Sequence, residues 1–286
     1  MTPEPTIRIN VDVTNPGQFF ACCGLLELAD RLWNGAEGWF DESLLHFCIA
    51  TEDSTANAEG LLQALINCEL RNTMEPDKLE RYEFLKTLTT KERSKSQAEE
   101  RKQYDKLWRE LPLVLDAPFH LTMDWFLDNR AGGSRFKTWA GQQSVINIAL
   151  DMKKPVDAGK YADVPSEDWL QHTCGESVDF NFDSDSSVQS SPLDAGFSLD
   201  PLKMSGATRP LMQLFAFIGL QRFRSLADTK NNAYTYSPWT IPALPPAAAC
   251  MASSGSQVPG QQKLTFPLLY RTKYLKSFLP AQLNGE

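Results

Sequence analysis

The first clear pattern in the chain is an alternation. Ile7-Arg8-Ile9-Asn10-Val11-Asp12-Val13 places an apolar residue at every second position, which predicts a half-buried strand. Thr14-Asn15-Pro16-Gly17 breaks it with turn chemistry. Asn15 suits an N-cap and Pro16 the first helical position. The next stretch, QFFACCGLLELADRLW, predicts a helix from Gln18 to Trp33 that stops at Asn34-Gly35. Gly38 to Ala50 then reads as further strand, so the chain opens as strand, helix, strand.

Residues 57–70 carry a second helical pattern. Residues 76–110 are charged and helical, with sparse apolar positions at Leu79, Tyr82, Leu85, Leu88, Tyr104, Leu107, Trp108 and Leu111. That spacing predicts a solvated hairpin or protruding arm with a mobile tip at KERSKSQAEERK. Pro118 to Leu127 alternates as a strand, DNRAGGSRFKTWAGQQS follows as a loop, and Ser144 to Met152 is helical. Val178 to Asp183 and Ala195 to Leu199 read as strands flanking a flexible SDSSVQSSP turn. Thr208 to Ser225 forms another apolar helix. YTYSPWTIP, PAAACMAS and KLTFPLLYRTKYL read as strand pieces interrupted by prolines, hence edge-like.

A content of 42% hydrophobic residues, with 7 Trp and 16 Phe in 286 residues, is ample for a core. The net charge of −8 is unlike that of a free-standing nucleic-acid binder. Its distribution is uneven. Residues 201–286 carry nine Lys/Arg and two acids, a net +7 that leaves −15 on the remainder. Residues 162–200 hold nine acids and no Lys or Arg. This asymmetry points to a polyanion partner on the C-terminal side, with scattered surface lysines as the plain alternative. No stretch reaches the roughly 18 apolar residues of a membrane span, and the N-terminus lacks the pattern of a signal peptide. The six cysteines follow neither disulfide-scaffold nor zinc spacing, which fits a reduced, cytoplasmic protein.

Two helices share a motif. Phe20-Ala21-Cys22-Cys23-Gly24-Leu25 and Phe215-Ala216-Phe217-Ile218-Gly219-Leu220 both read F-A-x-x-G-L, which suggests an internal repeat. Glycine costs roughly 1 kcal/mol against alanine inside a helix, so its use here is expected to be close approach of the helix to a sheet. Cys22 and Cys23 occupy positions that are apolar in the second copy, which favours packing. A cysteine nucleophile at this helix is the competing reading.

No histidine spacing typical of a metal site, no phosphate-binding glycine loop and no nucleophile elbow occurs. His46 and His120 fall inside apolar alternating stretches. Three cationic stretches remain. The loop with Arg130, Gly132, Gly133, Arg135 and Lys137 joins mobile glycines to charge. Its Phe136 and Trp139 either stack on a base or belong to the core. Arg222 and Arg224 end the second motif helix, where cations also complement the helix dipole. Arg271 and Lys273 would share one face of a strand, with Lys276 beyond, a basic sheet edge suited to a phosphate backbone or an acidic protein.

The NPGQFFACCGLLELADRLW stretch, the GAEGWF after it and the later RPLMQLFAFIGLQRFR resemble the CRISPR-associated Csb-type proteins of subtype I-U, also called I-G. Such proteins are regarded as large-subunit-like or RAMP-like components of the Cascade interference complex. The resemblance implies a non-catalytic subunit that contacts guide RNA (crRNA), target DNA or both. It also implies neighbouring Cascade subunits, a separately recruited helicase-nuclease, and no cofactor, metal or membrane. The motifs carry no catalytic residue. The alternatives are a cysteine-dependent enzyme and a scaffold subunit that docks only proteins. The expected fold is α+β, built of strand–helix–strand modules, for which two ferredoxin-like halves are one arrangement. Its parts are an N-terminal module at 1–70, a charged helical insertion at 71–111, and a second module with a basic end at 112–286.

Overall fold

The computed structural model describes residues 2–127, 136, 144–174, 182–185, 208–228, 233–253, 262–271 and 274–283, with the backbone alone at 228, 270–271 and 274–276. The protein is α+β, as its patterning implies. The expected strands at 178–183 and 195–199 lie wholly or mostly outside the described residues.

β1 (Ile7–Asn10), β2 (Glu37–Phe40) and β3 (His46–Ala50) form an antiparallel sheet in the order β1-β3-β2. α1 (Pro16–Trp33) crosses from β1 to β2, so order and direction match the first three strands of a split β-α-β unit. Asn15 caps α1 by accepting the Gly17 amide at 3.0 Å. Gly38 to Ala50 is a hairpin instead of one continuous strand. Asp41 turns the chain by accepting from the Ser43 hydroxyl and the Leu45 and His46 amides, with Leu44 at φ 59°.

After α2 (Ala58–Asn67), three short strands form a second antiparallel sheet in sequence order: β4 (Leu70–Asn72), β5 (Leu113–Leu115) and β6 (Leu121–Met123). The charged insertion is a helical hairpin between β4 and β5, made of α3 (Pro76–Thr87) and α4 (Lys95–Glu110). Tyr82 packs on Tyr104 and Trp108 and donates to Asp105 at 2.8 Å, while Arg81 grips Glu100 with two hydrogen bonds. A capping box at Ser94 starts α4, so the non-helical tip is only the stretch from Leu88 to Ser94. Pro118–Leu127 keeps three residues of its expected strand. A turn precedes β6, and Trp125–Leu127 closes into a 3-10 turn whose Asp124 and Trp125 amides donate to Gln221.

α5 (Val145–Asp157) and α6 (Pro210–Gly219) follow, and then the C-terminal sheet. β7 (Leu226–Asp228), β8 (Ala233–Tyr236), β9 (Leu264–Arg271) and β10 (Tyr274–Phe278) lie in the order β10-β9-β8-β7. β11 (Gln282–Leu283) pairs the start of β9. This order is a meander and differs from that of a split β-α-β unit. PAAACMAS, expected as strand, belongs to α7 (Pro245–Ser253), because its alanines favour helix and Pro245 sits where no amide hydrogen is needed. β9 is internal despite Pro267. The Pro267 carbonyl faces Leu279, between β10 and β11, and its missing N–H faces the same gap.

α1 and α6, the two motif helices, form the centre, and both are fully buried along the motif. They lie side by side in one direction. Near their N-termini, Asn15 and Arg209 both bond Asp183, and further along Glu27 meets Arg222. Between these points the glycines touch the opposite helix. A Cβ on Gly24 would stand 1.9 Å from the Phe215 carbonyl oxygen, and one on Gly219 would stand 2.1 Å from that of Phe20. The contact is reciprocal, each motif's Phe carbonyl filling the space over the other's glycine. The expected approach of helix to sheet is thus an approach of helix to helix, because bare backbone is needed on both sides of the tightest contact.

Candidate nucleic-acid interface

The C-terminal sheet turns its inner face to a cluster of aromatic rings. Phe266 of β9, Phe278 of β10 and Tyr234 of β8 surround Phe20 and Phe136. Phe136 is 4% exposed, with its ring 4.6 Å from Tyr234 and 5.3 Å from Phe278. It therefore belongs to the core and is not available to stack on a base. Its burial fixes one point of the cationic 130–137 stretch against β8, β9 and β10. Arg130, Arg135 and Lys137 themselves lie outside the described residues, as does Trp139.

The second cationic stretch, Tyr270 to Lys276, is not one strand. β9 ends at Arg271, β10 begins at Tyr274, and the two residues pair across a chain reversal. The expected sharing of one strand face by Arg271 and Lys273 lies outside the described residues, because Lys273 is not among them. Arg271 ends β9 beside Tyr274, the first residue of β10. Lys276 falls at an irregularity, where the pairing shifts between Leu275 and Ser277. Among the described residues β8 pairs with β9 from Leu264 to Pro267, and the β9–β10 ribbon runs from Leu268 to Arg271. Phe278 pairs with Leu268, and Arg271 is three residues further along. At 3.3–3.4 Å per residue that is about 10 Å. Phe136 packs on Phe278, so one residue from within the first stretch lies against the sheet in which β9 ends at Arg271.

Arg222 is placed differently. It donates to Glu27 from Nε at 2.5 Å and from Nη2 at 3.1 Å, and Arg31 holds the same carboxylate at 2.9 Å. Arg31 also donates to the carbonyls of Phe119 and His120. Burial works against the Glu27 charge, but the hydrogen bonds and charges of Arg222 and Arg31 outweigh it and hold its pKa below the usual glutamate range. Arg222 is therefore a bond between the two motif helices. Arg224, two residues on, is exposed. It leads into β7, at the sheet edge opposite the β9–β10 ribbon, so the structure does not bring it together with Arg271.

The cysteines of the first motif are fully buried, and desolvation pushes both thiols well above the ordinary cysteine range. A thiol so protected is a poor nucleophile. Cys68 is pushed up to about 11 by the same cause. His46 sits at the start of β3, its Nδ1 2.7 Å from Asp41 and 2.9 Å from Arg8. His120 lies at φ 46° before β6, outside any strand. No group of three or more His, Cys, Asp or Glu able to hold a metal occurs among the described residues, and no helix there is long and apolar enough to cross a membrane.

Sequence reasoning passed over the polar knot that aligns the motif helices. Asp183, 2% exposed, accepts from Asn15 at 2.7 Å and from Arg209 at 3.0 and 3.1 Å, and Arg209 also reaches Asp185 at 2.7 Å. The carboxylate sits at two helix N-termini, where the peptide dipoles favour it. A signal was available in the repeat, which extends back to Gln18 and Gln213. Gln18 accepts the Asp12 amide at 2.9 Å and Gln213 the Phe182 amide at 3.1 Å. Compared with protein families, curated proteins and solved structures, the chain matches none.

Proposed function

We propose that this chain is a non-catalytic subunit of a type I CRISPR interference complex, working in the cytoplasm and contacting guide RNA or target DNA. The observation that carries the reading is the burial of Phe136 against β8, β9 and β10. Phe136 stands in sequence between Arg135 and Lys137, and the sheet it packs on includes the backbone of Arg271 and Lys276. On that basis the two cationic stretches would together meet one phosphate backbone. The sequence resemblance supplies the assembly, and phosphate contacts supply the chemistry. In this reading neighbouring subunits share the nucleic acid, and cleavage belongs to a recruited helicase-nuclease. The buried, protonated thiols of Cys22 and Cys23 speak against the cysteine-enzyme alternative.

The test is co-expression of the tagged chain with the other effector subunits and a guide RNA. Stoichiometric co-purification with protein and RNA through gel filtration is expected. A chain that elutes alone from cells in which the remaining complex assembles would contradict the proposal.

A further inference from the structure

Between the helical insertion and α5 lies a groove of about 740 Å³. Ile66 at the end of α2, Leu79 of α3, Trp108 of α4, and Ile146 and Leu150 of α5 supply its apolar walls, and β4 lines it as well. β4 is an edge of its sheet. The Asp116 amide donates to the Glu69 carbonyl at 2.9 Å, and the Thr73 amide to the Pro112 carbonyl at 3.2 Å. In an antiparallel pair, alternate residues turn both backbone groups toward the same neighbour. Glu69, Arg71 and Thr73 therefore face β5, while Leu70 and Asn72 aim their N–H and C=O groups away from it. Those groups have no hydrogen-bond partner among the described residues, although Leu70 and Asn72 are only 5% and 4% exposed. Backbone polar groups turned toward such a groove are paired by water until a partner replaces it.

We propose that the groove takes an extended peptide segment of a partner protein, which adds to β4 as a further strand. Main-chain hydrogen bonds to Leu70 and Asn72 would supply affinity, and every second side chain would enter the apolar walls. Charge narrows the occupant further. Asp116 neutralises Arg71 at 2.5 Å, Asp157 neutralises Lys153 at 2.5 Å, and Lys86 neutralises Glu83 at 2.8 Å. Glu69 belongs to no ion pair among the described residues, and it adjoins the free edge. The incoming strand therefore alternates apolar residues and carries a Lys or Arg opposite Glu69. The proposal rests on β4 and its groove alone, and it stands or falls apart from the nucleic-acid reading.

The experiment pans a phage-displayed library of random dodecapeptides against the full chain, with counter-selection on Leu150→Glu. Leu150 is already 36% exposed, so this variant keeps its fold, which a melt verifies. Enriched peptides should alternate apolar residues and include a cation. A synthetic copy of the leading peptide should bind at least tenfold more weakly to Leu150→Glu and to Glu69→Arg. It should slow hydrogen exchange at Leu70 and Asn72, and should lose binding when alternate peptide amides are N-methylated in the register that faces β4, but not in the other. Absent enrichment, apolar residues at helical spacing, equal binding to Leu150→Glu, or undiminished binding of both N-methylated forms would each overturn the proposal.

Discussion

At the residue scale, two glycines and one glutamate decide how the motif helices meet. Alanine is favoured over glycine by roughly 1 kcal/mol in an isolated helix, so propensity alone makes Gly24→Ala stabilising. A Cβ 1.9 Å from a backbone oxygen cannot be accommodated without separating the helices. Overpacking of this kind costs about 1–3 kcal/mol or more, so the net effect should be destabilising, read as a lower urea midpoint. An unchanged or raised midpoint would remove the close contact. Glu27→Gln should cost about 1–3 kcal/mol at neutral pH, less than a fully buried pair because both arginines reach solvent. The folded Glu27 titrates below its unfolded value of about 4.3, so its contribution is complete above that pH and is lost as pH falls through the folded value. Melts of parent and variant should then converge as the pH is lowered below the unfolded value, and a gap that stays constant would refute the assignment. Brief iodoacetamide treatment of the native chain should label exposed Cys250 and spare Cys22 and Cys23. The F-A-x-x-G-L repeat was legible in the sequence and its partner was not. A helical glycine announces a close approach, but nothing local says to what.

At the element scale, legibility followed length. α1, α2 and the helical insertion carry enough turns for their period to show, and they stand close to where the pattern puts them. β4, β5 and β6 have three residues each, too few for alternation to register, and they exist because the sheet pairing of Leu70 with Leu115 and Leu113 with Met123 holds them. The Tyr270–Lys276 stretch failed for another reason. Alternation runs on from the end of β9 into β10, so the pattern could not reveal that Arg271 pairs with Tyr274. For the insertion, the capping box at Ser94 and the Arg81–Glu100 pair predict that limited trypsin cuts first after Lys91 or Arg93 and spares the bonds after Arg101 and Lys102. Early cleavage inside α4 would show that the hairpin is less closed than its contacts imply.

At the scale of the whole molecule, an acidic chain concentrates cations in its last part, and core packing sets Phe136, from within a second cationic stretch, against the C-terminal sheet. The eight basic residues singled out from sequence separate accordingly. Arg222 bonds Glu27, Arg224 is exposed just before β7, Arg271 and Lys276 lie in β9 and β10, and Arg130, Arg135, Lys137 and Lys273 lie outside the described residues. Sequence could not have sorted them, because a cation reads alike whether its acid lies across a helix interface or in a partner. Phosphate contacts give affinity that falls with salt, with a slope near −0.9 per phosphate neutralised on duplex DNA. The direct measurement is target-duplex affinity of the reconstituted complex across a salt series. The parent is compared with Arg271→Ala/Lys273→Ala and with Arg130→Ala/Arg135→Ala, and assembly is checked by gel filtration. Each double variant should assemble normally, bind more weakly and flatten the slope by up to about two. Normal assembly with unchanged affinity and unchanged slope in both would contradict the account.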